Sequence, residues 1–298
     1  MKYRNIGTTA LQSSEIGFGC MSLLKASTSE AETLVNKAIE KGINYFDTAD
    51  LYDRGLNEQL IGNLLKPVRN KIILATKVGN EWRADGSGWD WNPRKSYIIK
   101  AVDESLKRLQ TDYIDLYQLH GGTMEDAIDE TIDAFEGLVQ MGKIRYYGLS
   151  SIRPNVIKRF VELSNLKSVM MQYSLLDRRP EEEILTLLKE KSVSVMARGV
   201  LAQGLLVNKP AKDYLSFSAA EIRKTQELLQ GCVSDKITNT GLAIQYVLSN
   251  AAVATVVIGF RTVGQLKDVL EAVNQEVPQN ILEKLSKVLL VKKYIDHR

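Results

Sequence analysis

The feature that most restricts how this chain can fold is a rhythm: short apolar runs keep alternating with longer segments whose apolar residues recur at helical spacing. The runs are Glu15 to Gly19, Ile43 to Phe46, Ile72 to Thr76, Tyr113 to Leu119, Ile144 to Leu149, Ser168 to Gln172, Val193 to Ala197 and Ala254 to Ile258. Parallel neighbours need crossover connections, and a helix between two strands supplies one. Eight such units close on themselves, so the expected fold is α/β, a (β/α)8 TIM barrel. Tyr3 to Gln12 reads as an N-terminal β-hairpin that plugs one end, and Ile281 to Val291 as an extra C-terminal helix. The 298 residues suit one barrel, which takes about 250. Residues 1–298 therefore read as a single domain, with no linker and no repeat beyond the βα rhythm.

The helices carry their own punctuation. Ser27 and Glu30 form a capping-box pattern ahead of Ala31, Leu34, Val35, Ala38 and Ile39, one face of a helix that Lys41-Gly42 stops. Asn57 to Leu65 reads as a helix, and Asn92-Pro93 as the start of one with Ile98, Val102, Leu106 and Leu109 inward. Further helices are expected over Met124 to Gln140, Arg153 to Ser164, Pro180 to Lys191 and Thr238 to Ser249, the last after a longer connection. Thr262 and Gln265 repeat the capping-box pattern before Leu266, Val269, Leu270 and Val273. A doubly wound open sheet competes with the barrel, but Gly17-Phe18-Gly19-Cys20-Met21-Ser22 lacks the third glycine of its phosphate fingerprint.

A net charge of +3 with both signs interleaved gives no electrostatic case for nucleic acid or a membrane surface. No run reaches the ~20 apolar residues of a membrane span, and the N-terminus has no signal core, so the chain reads as cytoplasmic with no membrane contact. Cys20 and Cys232 lack metal-ligand spacing, so no metal is expected, and Cys20 reads as a small buried residue rather than a redox thiol.

Three expected strands end in groups able to do chemistry. Asp47 closes the second with Tyr52 in the loop beyond it, Lys77 closes the third and His120 the fourth. In a barrel all would stand on the C-terminal rim, where barrel enzymes keep their active sites. Singly, a strand-end Asp is commonly a cap and a loop Tyr plain surface. Only one other histidine exists, His297 in the tail.

At these residues the chain resembles the aldo-keto reductases, in particular their general bacterial branch. The matching segments include Gly17-Phe18-Gly19-Cys20-Met21, Phe46-Asp47-Thr48-Ala49-Asp50-Leu51-Tyr52, Leu74-Ala75-Thr76-Lys77, Ser105 to Leu109 through Asp112 to His120, Gly142 to Ser150 and Gln172-Tyr173-Ser174-Leu175. The family's catalytic tetrad falls on Asp47, Tyr52, Lys77 and His120. The resemblance implies reduction of aldehyde or ketone carbonyls to alcohols with NADPH. Such chemistry delivers a hydride to carbon and a proton to oxygen, so it needs a nicotinamide and a general acid. Tyr52 would be that acid, with its proton made easier to give by the Lys77 ammonium; Asp47 would orient Lys77, and His120 would donate a second hydrogen bond to the oxygen.

The same resemblance places Gly19, Cys20, Met21 and Asp47 beside the cofactor and assigns Ser150 and Gln172 to the carboxamide. Ser151 stands where many relatives have Asn, and Arg198 where many have an aromatic ring against the nicotinamide. Gly204 belongs to the loop beside the pyrophosphate, where Gln203 serves binding or packing. Gly259, Arg261, Gln265 and Asp268 surround the adenosine end, and Val269 departs from the Asn common there. Val257 to Thr262 also reads as an anion site, a strand and glycine leading into a capped helix, with Arg261 able to grip the 2′-phosphate of NADP in two places. Trp82, Trp89 and Trp91 all follow Lys77, either as a pocket wall or as anchors for their loop. The expected ligand beyond NADPH is a small-molecule carbonyl, with no obligate protein partner. Two alternatives stay open: a nicotinamide-binding regulatory subunit with slow turnover, and a phosphate-binding barrel lyase or isomerase using Lys77 as a Schiff-base amine.

Overall fold

In the computed structural model, which describes residues 1–298, the chain opens with the hairpin β1 (Tyr3–Asn5) and β2 (Gln12–Ser14), and β3 (Ile16–Gly19) enters the barrel. The order then runs α1 (Thr28–Glu40), β4 (Tyr45–Asp47), α2 (Leu56–Leu65), β5 (Ile73–Val78), β6 (Asn80–Trp82), β7 (Trp89–Trp91) and α3 (Lys95–Leu109). It continues with β8 (Ile114–Leu119), α4 (Ile128–Gln140), β9 (Ile144–Ser150), α5 (Pro154–Leu163), β10 (Ser168–Gln172), α6 (Ile184–Glu190) and β11 (Ser194–Arg198). The last elements are α7 (Ala219–Gln230), α8 (Asn239–Leu248), β12 (Val253–Gly259), α9 (Val263–Ala272) and α10 (Gln279–Val288). Strands β3, β4, β5, β8, β9, β10, β11 and β12 pair in parallel and close into a barrel in that order.

Alternation of side chains across each strand sorts the residues into layers. Tyr45, Ile73, Ala75, Leu116, Met170, Met196, Ala254 and Val257 form an apolar cluster that Ile6 and Leu11 of the hairpin complete from below. The plugging role read from Tyr3 to Gln12 is thus met by two aliphatic side chains. One strand period above this layer, the same inward positions become polar: Asp47 above Tyr45, Lys77 above Ala75, Gln118 above Leu116, Gln172 above Met170 and Arg198 above Met196. The outward positions join the helices in the larger core, where Phe18 stacks on Phe46 with ring centroids 5.5 Å apart.

The capping box at Ser27 and Glu30 forms as read. Elsewhere local contacts moved boundaries. Asn92 does not cap α3: its N–H completes the β6–β7 hairpin on the Gly79 carbonyl at 2.7 Å, its Oδ1 accepts from Arg94 N at 3.2 Å, and the helix begins two residues past Pro93. The expected helix from Pro180 splits into a 3-10 turn, Arg179–Glu182, and the shorter α6. Helix α7, inside the stretch read as a long connection, starts at a Ser218–Glu221 capping box but buries only Ile222, Thr225 and Leu229. At Thr262 half of the box is present, because the Gln265 side chain accepts from Arg261 N instead of from the cap.

Candidate active site

The C-terminal end of the barrel opens into a cavity of about 940 Å³. Of the residues singled out in the sequence, Gly19, Cys20, Met21, Asp47, Tyr52, His120, Ser150, Ser151, Gln172, Arg198 and Gly259 line it. Lys77 stands just behind, 1% exposed. Its Nζ donates to Asp47 Oδ1 at 2.5 Å and to the Thr48 carbonyl at 2.7 Å, and Gln118 Nε2 donates to the other Asp47 oxygen at 3.4 Å. Burial works against the ammonium, but the Asp47 carboxylate and the Tyr52 phenol outweigh it and hold Lys77 above its ordinary range. Burial raises the Asp47 carboxyl against the opposing pull of Lys77 and Gln118. Two acceptors on one Nζ identify Lys77 as the charged donor, and a buried ion pair with its remaining oxygens bonded is the arrangement in which such a pair is tolerated. An amine so enclosed and twice bonded is not presented to the cavity, which weighs against a Schiff-base mechanism.

Tyr52 reaches this cluster through an unusual loop. Asp53 and Arg54 take φ of 49° and 56°, and Gly55 follows at 83°, so the chain turns left-handed immediately after the tyrosine. Non-glycine residues rarely adopt that conformation unless their surroundings impose it. Here Thr48 Oγ1 donates to Asn57 Oδ1 at 2.7 Å and Asn57 Nδ2 to the Cys20 carbonyl at 2.9 Å, which ties β4 and α2 to the end of β3. On the other side Trp82 Nε1 donates to the Leu51 carbonyl at 3.1 Å, Arg54 Nη2 donates to the Gly86 carbonyl at 2.8 Å, and the Arg54 guanidinium stacks 5.0 Å from the Trp82 ring. As a result Lys77 Nζ lies 5.3 Å from the Tyr52 ring centroid, and Tyr52 meets His120 edge to face with centroids 6.0 Å apart.

The imidazole of His120 is largely enclosed, and its Nδ1 has no hydrogen-bond partner. Burial, with the charges of Lys77 and Arg198 added, pushes its pKa down to about 3. It is therefore neutral at pH 7. Cys20 is fully buried, and burial together with the Asp47 charge pushes its thiol up, which fits the reading of a packing residue.

The three tryptophans divide. Trp89 and Trp91 line the cavity, whereas Trp82 does not and serves the Tyr52 loop. Trp91 lies flat on Gly79 and Gly121, where an added Cβ would come within 2.6 and 3.0 Å of its ring, and its Nε1 donates to Asp126 at 2.9 Å. Gly79 and Gly121 also hold φ of 125° and 142°, so glycine is required there twice over.

Among the expected cofactor residues, Gln172 already engages its amide within the protein, donating to Tyr214 Oη at 3.0 Å and accepting from Arg198 Nη1 at 3.2 Å. Gln203, left open between binding and packing, lines the cavity at φ 58°. Gly204, Arg261, Gln265 and Asp268 fall outside the cavity; the last three are exposed at the start of α9, directly beyond Gly259. Val269 is buried in the core, so no polar group is presented from that position. Arg153 and His297 also line the cavity and were not singled out. Arg153 could have been found from its place two residues after Ser151, but nothing in the sequence brings a tail residue 144 positions further on to the same rim.

A floor of glycine backbone at Gly19 and Gly259, hydroxyls at Ser150 and Ser151, and the planar Arg198 guanidinium fit a flat amide-bearing ring such as a nicotinamide. No helix of the structure is long and apolar enough to cross a membrane. The chain is 51% identical over 283 residues to the uncharacterized oxidoreductase YqkF of Bacillus subtilis, covering 92% of each. It is 35% identical over 212 residues to the aldo-keto reductase yakc [NADP(+)] of Schizosaccharomyces pombe, covering 68% of this chain and 62% of that one. Its structure superposes on the holo form of the aldo-keto reductase AKR11C1 from Bacillus halodurans with a TM-score of 0.94 at 49% identity, over 100% of this chain and 99% of that one. The model of the aldo/keto reductase family matches residues 15–289. A barrel with polar strand ends converging on one rim is in this case an oxidoreductase fold, and the chain belongs to the aldo/keto reductase family.

Proposed function

We propose that this protein reduces aldehyde or ketone carbonyls to alcohols with NADPH, using Tyr52 as general acid. The observation that supports it most is the bonded set Asp47–Lys77 beside the Tyr52 ring with neutral His120 across from it. Bound NADPH would supply the hydride to the carbonyl carbon. Tyr52 gives its proton to the carbonyl oxygen, and Lys77 meets the phenolate left behind with a positive charge whose attraction is stronger in the low-dielectric interior than in water. Asp47 holds that ammonium in place. His120, with Nδ1 enclosed and unpartnered, has its other ring nitrogen facing the cavity, and a neutral imidazole protonated there donates a hydrogen bond without adding charge.

Ser150, Ser151, Gln172 and Arg198 would seat the nicotinamide, with Gly19, Cys20, Met21 and Asp47 beside it and Gly204 along the pyrophosphate. Gly259, Arg261, Gln265 and Asp268 would hold the adenosine end. NADPH over NADH rests on Arg261, exposed at the capped N-terminus of α9 and free of a carboxylate partner. The NADP(+) in the yeast relative's name points the same way. The test is a panel of aldehydes and ketones assayed by loss of reduced-nicotinamide absorbance with each cofactor. Cofactor oxidation that depends on a carbonyl compound and on Tyr52 supports the reading; none with any member of a broad panel overturns it.

A further inference from the structure

Six arginines are buried or half-buried, and five of them are paired with carboxylates: Arg4 with Glu15, Arg69 with Asp115, Arg108 with Glu58, Arg178 with Glu181 and Arg179 with Asp177. The sixth, Arg153, has none. Its Nη1 donates to the Gly122 carbonyl at 2.5 Å, and its backbone N–H to Ser151 Oγ at 3.2 Å. A guanidinium has five N–H donors, and taking one from water without a counter-charge is costly. An arginine needed only to hold Gly122 would be served by a single donor. The remaining donors belong to a residue that lines the cavity, on the loop next to the one that carries His120.

A second side chain with ring nitrogens that can hydrogen-bond, His297, reaches the same wall. The chain after α10 returns over the barrel rim, with Tyr294 buried beneath the Arg179 guanidinium, Arg298 Nη2 bonded to Glu182 at 2.6 Å, and the His297 carbonyl accepting from Asn155 N at 2.9 Å. This fastening brings His297 to the cavity wall that Arg153 also lines. Glu125, on the loop after β8, is exposed to solvent and forms no ion pair with Arg153. Asp47, the one acidic residue of the cavity wall, is already committed to Lys77.

We propose that Arg153, assisted by His297, binds the carboxylate or an equivalent anionic group of the substrate, so that the preferred substrates are carbonyl acids with the carbonyl at one end and the anion at the other. This rests on the reductase reading and adds to it the substrate class. Arg153 would then fix which carbonyl compound is held against Tyr52, and its planar fork suits a carboxylate bidentately where a lysine would not.

The test compares kcat/KM for two aldehydes of similar shape, 4-carboxybenzaldehyde and 4-methylbenzaldehyde, in the wild type, R153Q, R153K and H297Q. The wild type should favour the acid by about tenfold, the size of a charge-assisted hydrogen bond. R153Q should remove most of that preference, R153K part of it and H297Q less. Added salt should erode it in the wild type and in the variants that keep a cation at position 153, and have little effect in R153Q. Thermal unfolding of each variant separates a folding defect from a loss of recognition, and R153K supplies a folded comparison should R153Q fail. A wild type that favours the methyl compound, or an R153Q that loses both substrates in equal proportion, overturns the proposal while leaving the reductase reading intact. Turnover of neither aldehyde would count against that reading instead. Fluorescence titration of Trp89 and Trp91 with 4-(hydroxymethyl)benzoate then decides the anion site directly: quenching in the wild type that R153Q abolishes supports it, and equal or absent quenching overturns it.

Discussion

The strand ends at Asp47, Lys77 and Gln118 and the outer rim at Arg153 and Arg261 are both polar, yet they are built in opposite ways. At the strand ends the charges are matched and bonded before any ligand arrives, and Lys77 is 1% exposed. On the rim two guanidiniums have no carboxylate partner, and one of them, Arg153, lines the cavity. A buried charge must be compensated inside the fold or it costs several kcal/mol, whereas an exposed or cavity-lining one can wait for its partner in water. The inner cluster is therefore set by folding, and the rim is completed by what binds.

This contrast can be broken most forcefully at Tyr52. Tyr52→Phe should lower kcat by about 10² to 10⁴, the usual contribution of general acid catalysis, with cofactor affinity nearly unchanged. A mutant keeping half of the wild-type kcat would take Tyr52 out of that role. Lys77→Met should cost both activity and about 3 to 5 kcal/mol of stability, because Asp47 is left buried without its partner. Denaturant unfolding of K77M beside the double variant with Asp47→Asn checks this: the second change should recover part of the loss.

On the rim the expected effects are smaller and fall on binding. Arg261→Ala should lose about 1.5 to 3 kcal/mol of NADPH affinity and little NADH affinity, with stability unaltered. Titration of both proteins with both cofactors decides it, and equal losses would exclude a 2′-phosphate contact.

The pH dependence sharpens the comparison within the inner cluster. The His120 imidazole takes up a proton near pH 6.5 when unfolded but only near 3 when folded. Between those values the unfolded chain binds more protons, so stability present above pH 6.5 is lost as pH falls, by up to about 1.4 kcal/mol per unit. His120→Asn should flatten that slope relative to the wild type in unfolding curves at pH 7, 6 and 5. Smallest is the effect at Trp82, whose Nε1 holds the Leu51 carbonyl. Trp82→Phe should cost about 0.5 to 1.5 kcal/mol, seen in kcat or stability with the ranking of substrates kept, whereas Trp91→Ala should change the ranking.

Much of this was open to a reader of the sequence. The alternation of apolar runs with capped amphipathic segments determined a parallel barrel, because parallel strands admit few other connections, and period-2 alternation fixed which strand-end residues point inward. Asp47, Lys77 and His120 follow from that, since each lies an even number of residues beyond an inward apolar side chain such as Tyr45, Ala75 or Leu116. Only the tertiary structure decided the rest. Trp82 and Trp91 are nine residues apart and look alike in sequence, but pairing of β6 with β7 turns one toward Leu51 and the other onto Gly79 and Gly121. Arg153 and His297 line one cavity because the C-terminal tail folds back over the rim. Local propensity and periodicity act over a few residues, whereas burial, ion pairing and strain depend on which distant segments packing brings together.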